Sequence, residues 1–121
     1  MGRLMMLLCE SPFQNESVDH VLGLSKAAIA KGHDVDIYLM MDGVYGPVTS
    51  QSGEPFHMDS VSDSLKELID LGVTISGCSV CMELRGVKED MNTERVDIGG
   101  IFDLGEMVAE ADVILSMTGA R

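Results

Sequence analysis

Short apolar runs alternate along the chain with stretches in which apolar residues recur every three or four positions. The first run, RLMMLLCE over 3–10, is apolar through its centre, as in a strand covered on both faces. SPFQN (11–15) ends it with Pro12 and polar side chains. Val18, Val21, Leu22, Ala28 and Ile29 then follow helical spacing and predict a helix over 16–31. Asn15 suits its N-cap, and Gly32 suits the position past its end. DVDIYLMM (34–41) predicts a second strand. The segment 42–57 is broken repeatedly by Gly and Pro and reads as a loop with room for a helical turn. Val61, Leu65, Leu68 and Ile69 share one face of a helix over 60–71, which Gly72 closes. VTIS (73–76) predicts a third strand and runs into GCSVCMELRG (77–86), where 82–84 fits a helical turn stopped by Gly86. KEDMNTER (88–95) reads as a charged surface loop. A short strand at 96–98, a helix over 101–111 and a last strand at 112–117 complete the pattern.

Strand–helix alternation with strands apolar on both faces predicts an α/β fold. We expect a three-layer α/β/α sandwich with a mainly parallel sheet of about five strands, one domain over residues 1–121. Such sheets bind ligands and do chemistry outside the carboxyl ends of their strands. Four segments fall there: 10–15, 42–46, 77–81 and 116–119.

Charge narrows the function classes. Twenty acidic residues stand against eight Lys and Arg, for a net charge of −12. A nucleic-acid footprint needs a basic face, so no nucleic-acid partner is expected. An anionic membrane surface is disfavoured in the same way, and the acidity serves solubility. The run 3–10 is too short for a signal-peptide core or a membrane span, so the expected location is cytoplasmic. Three cysteines do not make a disulfide framework there.

Cys78 and Cys81 carry the candidate chemistry, three residues apart at a strand end. Structural zinc wants four ligands, usually two such clips. Here there is one clip, Cys9 falls in an expected buried strand, and His20, His33 and His57 lack ligand spacing, so no metal or cofactor is expected. A thioredoxin-type pair fits the local grammar of a C-x-x-C between strand and helix, where the helix start favours a thiolate. Against it, the motif follows the third strand and the chain has no Trp. A persulfide carrier needs one reachable nucleophilic cysteine, which Cys78 supplies. Arg85 adds positive charge if the turn folds back, while Glu83, Glu89 and Asp90 oppose it. Two inert half-buried thiols are the third reading. From the residues alone, all three stay open. Asp42 reads as a turn opener. The ten methionines, among them Met5, Met6, Met40 and Met41, read as core or subunit contact.

Several segments in order resemble one family: ESPFQNES (10–17), MMDGV (40–44), GPVTSQSGEP (46–55), CSVCMELRGV (78–87) with its C-x-x-C-x-x-x-R-G pattern, and DIGGIFDLGEMVAEADVILSM (97–117). The chain resembles the DsrE-like sulfur-relay proteins, and within them the YchN-like branch. The resemblance implies a homo-oligomer, trimer or hexamer, in which Cys78 accepts sulfane sulfur as a persulfide from a donor protein and passes it to an acceptor protein. It makes Cys81 a branch feature, and it places Arg85, Gly86, Ser11 and Asp42 as supporting residues. Phe13-Gln14-Asn15 stands where some relatives carry a Tyr-Gly pair. The rival readings are a thiol–disulfide oxidoreductase using Cys78 and Cys81, and a non-catalytic oligomeric binding module with structural cysteines. On the carrier reading, Cys78 should be exposed and the most reactive thiol, with Cys9 buried inside the first strand. Val44, Tyr45 and Val48, or the methionine-rich strand ends, should be buried between subunits.

Overall fold

A computed structural model describes residues 2–118 of the chain. Its elements run β1 (Arg3–Leu8), α1 (Ser17–Ala30), β2 (Asp34–Leu39), α2 (Val61–Asp70), β3 (Thr74–Cys78), α3 (Ser79–Arg85), β4 (Asp97–Gly99), α4 (Ile101–Glu110) and β5 (Val113–Met117). Short 3-10 turns lie at Met41–Tyr45, Glu54–Phe56 and Glu89–Met91. The strands form one sheet in the order β4-β3-β2-β1-β5, and every neighbouring pair is parallel.

That order explains the layers. From β1 to β4 the chain steps along the sheet in one direction, and from β4 to β5 it crosses to the opposite edge. Parallel crossovers keep one hand, so α1, α2 and α3 lie on one face and α4 on the other. The expected three-layer α/β/α fold with five strands is what forms. On the first face the row Met6, Ile37, Ile75 meets Val21, Leu65 and Leu68, all at most 1% exposed. On the α4 face the rows Met5–Asp36–Thr74 and Leu7–Tyr38–Ser76 are more polar. Arg3 covers buried Asp36 there with two bonds, of 2.9 and 3.1 Å.

Helix ends follow the sequence with small shifts. Glu16, not Asn15, occupies the α1 N-cap position, yet Asn15 Oδ1 still accepts the Ser17 N–H at 2.8 Å. Ser60 Oγ caps α2 by accepting from the Asp63 N–H at 3.1 Å. Gly32 and Gly72 end their helices with φ of +84° and +102°, in the region that favours glycine.

Three expectations are corrected. The first strand stops at Leu8 instead of reaching residue 10, because the chain leaves the sheet ahead of Pro12, whose nitrogen has no proton to offer a ladder. The third strand extends to Cys78, and the helical turn expected at 82–84 is a two-turn helix starting directly after it. The segments 42–57 and 88–95 are loops carrying short 3-10 turns, as expected, but they are tied to each other and not laid out for a partner subunit. Thr93 N–H donates to the Pro47 carbonyl at 2.8 Å and Thr49 N–H to the Met91 carbonyl at 2.9 Å. Val44 and Val48 are thereby buried in the chain's own core, as are Met5 and Met6, and none of the four waits for a subunit contact. Tyr45 alone of that loop trio is exposed.

Candidate functional site

Cys78 is at once the last residue of β3 and the N-cap of α3. Its backbone is still extended, with φ −67° and ψ 119°, and its sulfur accepts the Cys81 N–H at 3.5 Å. The Val80 N–H also points at that sulfur. A cysteine thus does the work that Ser or Asp does at ordinary helix starts, satisfying free N–H groups with a side-chain acceptor. From β2, the Tyr38 hydroxyl lies near enough to Cys78 to favour its ionised form, while it donates to the Gly99 carbonyl at 3.1 Å. Opposite Cys78 in the ladder lies Gly99 of β4.

Cys81 sits one turn into α3, over the Met41–Tyr45 turn. The Met41 N–H donates to its sulfur. Met41 takes a φ of +49° there, a left-handed conformation that a side chain disfavours. Arg85 folds back from the end of α3 across the same turn. Its Nε donates to Asp42 Oδ1 at 2.9 Å and another guanidinium N–H to the Cys81 carbonyl at 3.3 Å. Asp42 therefore has a partner and is more than a turn opener. Gly86 closes α3 at φ +70°, as expected.

Both site cysteines are buried, Cys78 at 8% and Cys81 at 7% exposure. The expectation of an exposed Cys78 and a buried Cys9 is reversed. β3 extends far enough to carry Cys78 into the buried interior, while the early end of β1 leaves Cys9 half-buried, its N–H donating to the Met117 carbonyl at 2.9 Å. Ser11 is not drawn in. Its hydroxyl donates to Gln14 Oε1 at 2.6 Å within its own turn. Of the strand-end segment 116–119, Gly119 lies outside the described residues.

Electrostatics divide the two thiols. Burial pushes the Cys78 thiol up, but hydrogen bonds from the Cys81 N–H, the Cys81 thiol, Tyr38 and the Val80 N–H together outweigh it, and the thiol is held below its ordinary value. Cys81 goes the other way. Burial raises it, the Met41 N–H opposes, the Cys78 sulfur raises it again, and Arg85 lowers it too little to win. Cys9 is raised by burial, then by Glu10 and Cys81. The two neighbouring thiols are thus pushed apart, Cys78 toward easier ionisation and Cys81 away from it. Among the described residues, no three His, Cys, Asp or Glu side chains converge as metal ligands would. A cleft of about 500 Å³ lies further down the α4 face, between Asp36, Thr74 and Glu106, and no cysteine lines it.

Reactivity follows thiolate fraction and access. With a small alkylating reagent at neutral pH, Cys78 should be labelled ahead of Cys9 despite its deeper burial. The gap should close as pH rises into the range where Cys9 ionises. Peptide mapping against pH checks this, and Cys9 leading at neutral pH would show that access outweighs ionisation.

Tyr38 was not singled out from sequence, and Met41 only as a core or subunit-contact methionine. A tyrosine inside an otherwise apolar strand carried a signal, since a buried hydroxyl needs a polar partner. Met41 acts through its backbone, which leaves no trace in residue type.

Comparison with known proteins places this arrangement. The sequence profile described as the DsrE/DsrF-like family matches residues 2–117. The chain is similar to the uncharacterised protein MJ0989 of Methanocaldococcus jannaschii, 28% identical over 111 residues, which covers 92% of this chain and 96% of that protein. It is also similar to the uncharacterised protein MK0008 of Methanopyrus kandleri, 26% identical over 110 residues, covering 91% and 89%. Among solved structures, the ychN protein from E. coli superposes with a TM-score of 0.86 at 24% identity, over 97% of this chain and 100% of that one. At that identity the match concerns the fold, and it is the branch to which the sequence resemblance points.

Proposed function

The chain belongs to the DsrE/DsrF-like family, which is associated with sulfur relay, and on that footing we propose that it is a single-domain persulfide carrier working through Cys78. The observation that carries the reading is the pair of unequal thiols: a Cys78 sulfur that receives the Cys81 N–H at 3.5 Å and is held below its ordinary pKa, beside a Cys81 held above its own. The Cys78 thiolate attacks the outer sulfur of a donor persulfide, R–S–SH. A new S–S bond forms between Cys78 and that sulfur, the donor's S–S bond breaks, and R–S⁻ leaves. Delivery repeats the step with an acceptor thiolate, so the cycle needs no net oxidation. Sulfur donor and acceptor proteins are its partners, in the cytoplasm.

Incubation with inorganic polysulfide, followed by intact mass and peptide mapping, tests this. A gain of one sulfur atom on Cys78 is expected. An internal Cys78–Cys81 disulfide formed with turnover on a disulfide substrate indicates the oxidoreductase instead, and neither change indicates a binding module.

The carrier works as a homo-oligomer, trimer or hexamer. Ile101 and Phe102 at the start of α4 are 76% and 90% exposed, and at the opposite edge of the sheet Val113 and Ile114 of β5 are exposed as well. Large apolar side chains left exposed on an α/β domain call for cover. Light scattering at micromolar concentration should give a multiple of the 13.0 kDa chain mass. Phe102→Glu should lower it. A wild-type protein that scatters as 13.0 kDa would sink the assembly.

A further inference from the structure

Tyr38 is 1% exposed and is the largest of the fully buried side chains. It stands on the α4 face of β2, opposite Ser76 in the ladder, and Cys78 lies two residues further along β3 on that same face. Its hydroxyl donates to the Gly99 carbonyl at 3.1 Å, with the Gly100 carbonyl at 3.3 Å. Gly99 is the ladder partner of Cys78, so this hydroxyl bonds the backbone directly opposite the residue that carries the sulfur. That backbone is held from behind. Asp103 of α4 accepts the Gly100 N–H at 2.8 Å, and a side chain at Gly99 would come within 2.9–3.1 Å of the Asp103 side chain.

A phenol has one proton to give and here three acceptors to give it to: two carbonyls and one sulfur. With Cys78 neutral, the Gly99 carbonyl suffices. With Cys78 ionised, a charge-assisted bond is roughly twice as strong as a neutral one, and the proton turns to sulfur. We infer that Tyr38 is a catalytic residue whose hydroxyl holds the negative charge on the Cys78 sulfur as thiolate, and again on the persulfide after loading. It does so as a donor only. Burial and the neighbouring sulfurs push its own ionisation far above the ordinary phenol range, so it keeps its proton throughout. In loading, the S–S bond forms at Cys78, the donor's S–S bond breaks, and no proton leaves Tyr38.

This rests on the reading of Cys78 as the sulfur acceptor, so its test uses a readout that needs no sulfur transfer. The rate of iodoacetamide labelling at Cys78 is followed against pH by peptide mapping, in wild type and Tyr38→Phe. Groups that face the two residues are Cys81 from α3 and Asp103 from α4, with Arg85 acting on Cys81. All are retained in the variant. Loss of one hydrogen bond to a charged group should move the midpoint up by about one pH unit and cut labelling at pH 7 about tenfold. Cys9 should be unaffected. A rate change with an unmoved midpoint, or no change, overturns the inference, because packing alone alters access and not ionisation. If Tyr38→Phe does not fold, 3-fluorotyrosine incorporated in a Tyr45→Phe background makes the phenol a stronger donor and should move the midpoint down. An unmoved midpoint there also overturns it. Polysulfide loading is measured beside these. A shifted midpoint without loading defeats the carrier reading and leaves Tyr38 in place, whereas loading with an unmoved midpoint defeats Tyr38 alone.

Discussion

Cys78→Ser is expected to abolish polysulfide loading, while Cys81→Ser loads normally and holds its persulfide several times longer. The first half follows from acidity. A serine hydroxyl in the same cradle of N–H groups does not ionise near neutral pH, so no anion attacks the donor. The second half follows from position. Cys81 lies one turn from Cys78, close enough for its N–H to reach the Cys78 sulfur at 3.5 Å. Its thiolate can attack the inner sulfur of a Cys78 persulfide, giving a Cys78–Cys81 disulfide and releasing hydrosulfide, as thiol–disulfide exchange allows. The raised Cys81 thiol keeps this discharge slow at neutral pH. It should quicken as pH rises toward the Cys81 range, and that acceleration should vanish in Cys81→Ser. Mass spectra taken over time after removal of polysulfide report both quantities. If Cys81→Ser fails to load while Cys78→Ser loads, the roles are exchanged. If the persulfide lifetime is the same with and without Cys81, that thiol takes no part.

The parts of this site that lie on one segment were legible in the sequence. Cys78, Cys81, Arg85 and Gly86 fall within two turns of each other, and the strand-to-helix grammar placed them at a carboxyl end. The five strands were legible for a similar reason, since apolar runs report burial on both faces. What escaped depends on register between distant segments. Tyr38 reaches Cys78 only because β2 pairs with β3 so that Tyr38 sits opposite Ser76. Val44 and Val48 looked like exposed loop residues because nothing local announces that 42–57 zips to 88–95 through Pro47–Thr93 and Thr49–Met91. The order of exposure between Cys9 and Cys78 was inverted because it turns on where β1 stops and how far β3 extends, and strand ends are set by neighbours more than by composition.

Gly43→Ala should be the most damaging single-methyl change near the site. A Cβ at Gly43 would lie 2.1 Å from the Leu8 carbonyl oxygen and 3.0 Å from its carbon, and both are backbone atoms of β1 that cannot swing aside. The same carbonyl already accepts the Met40 N–H at 3.0 Å, and the Gly43 N–H donates to the Met40 carbonyl at 2.8 Å. Relief therefore requires the Met41–Tyr45 turn to lift off β1 as a unit. Overpacking of this kind costs about 1–3 kcal/mol, more where backbone must move. The melting temperature should fall by roughly 4–8 °C for each kcal/mol. Lifting that turn also removes the Met41 N–H from the Cys81 sulfur, pulls Asp42 from its 2.9 Å bond to Arg85 and uncovers buried Val44. Cys81 should then be alkylated faster than in the native protein even though it has lost a donor, because access governs a thiol that starts 7% exposed. Gly23→Ala is the control. Its Cβ meets nothing within 4 Å, and it lies on the exposed side of α1, where Ala in place of Gly stabilises a helix by up to about 1 kcal/mol. Thermal melts and cysteine mapping of the two variants decide the matter. A Gly43→Ala protein that melts with the wild type and labels Cys81 at the wild-type rate would mean that the turn does not cover the thiol as described.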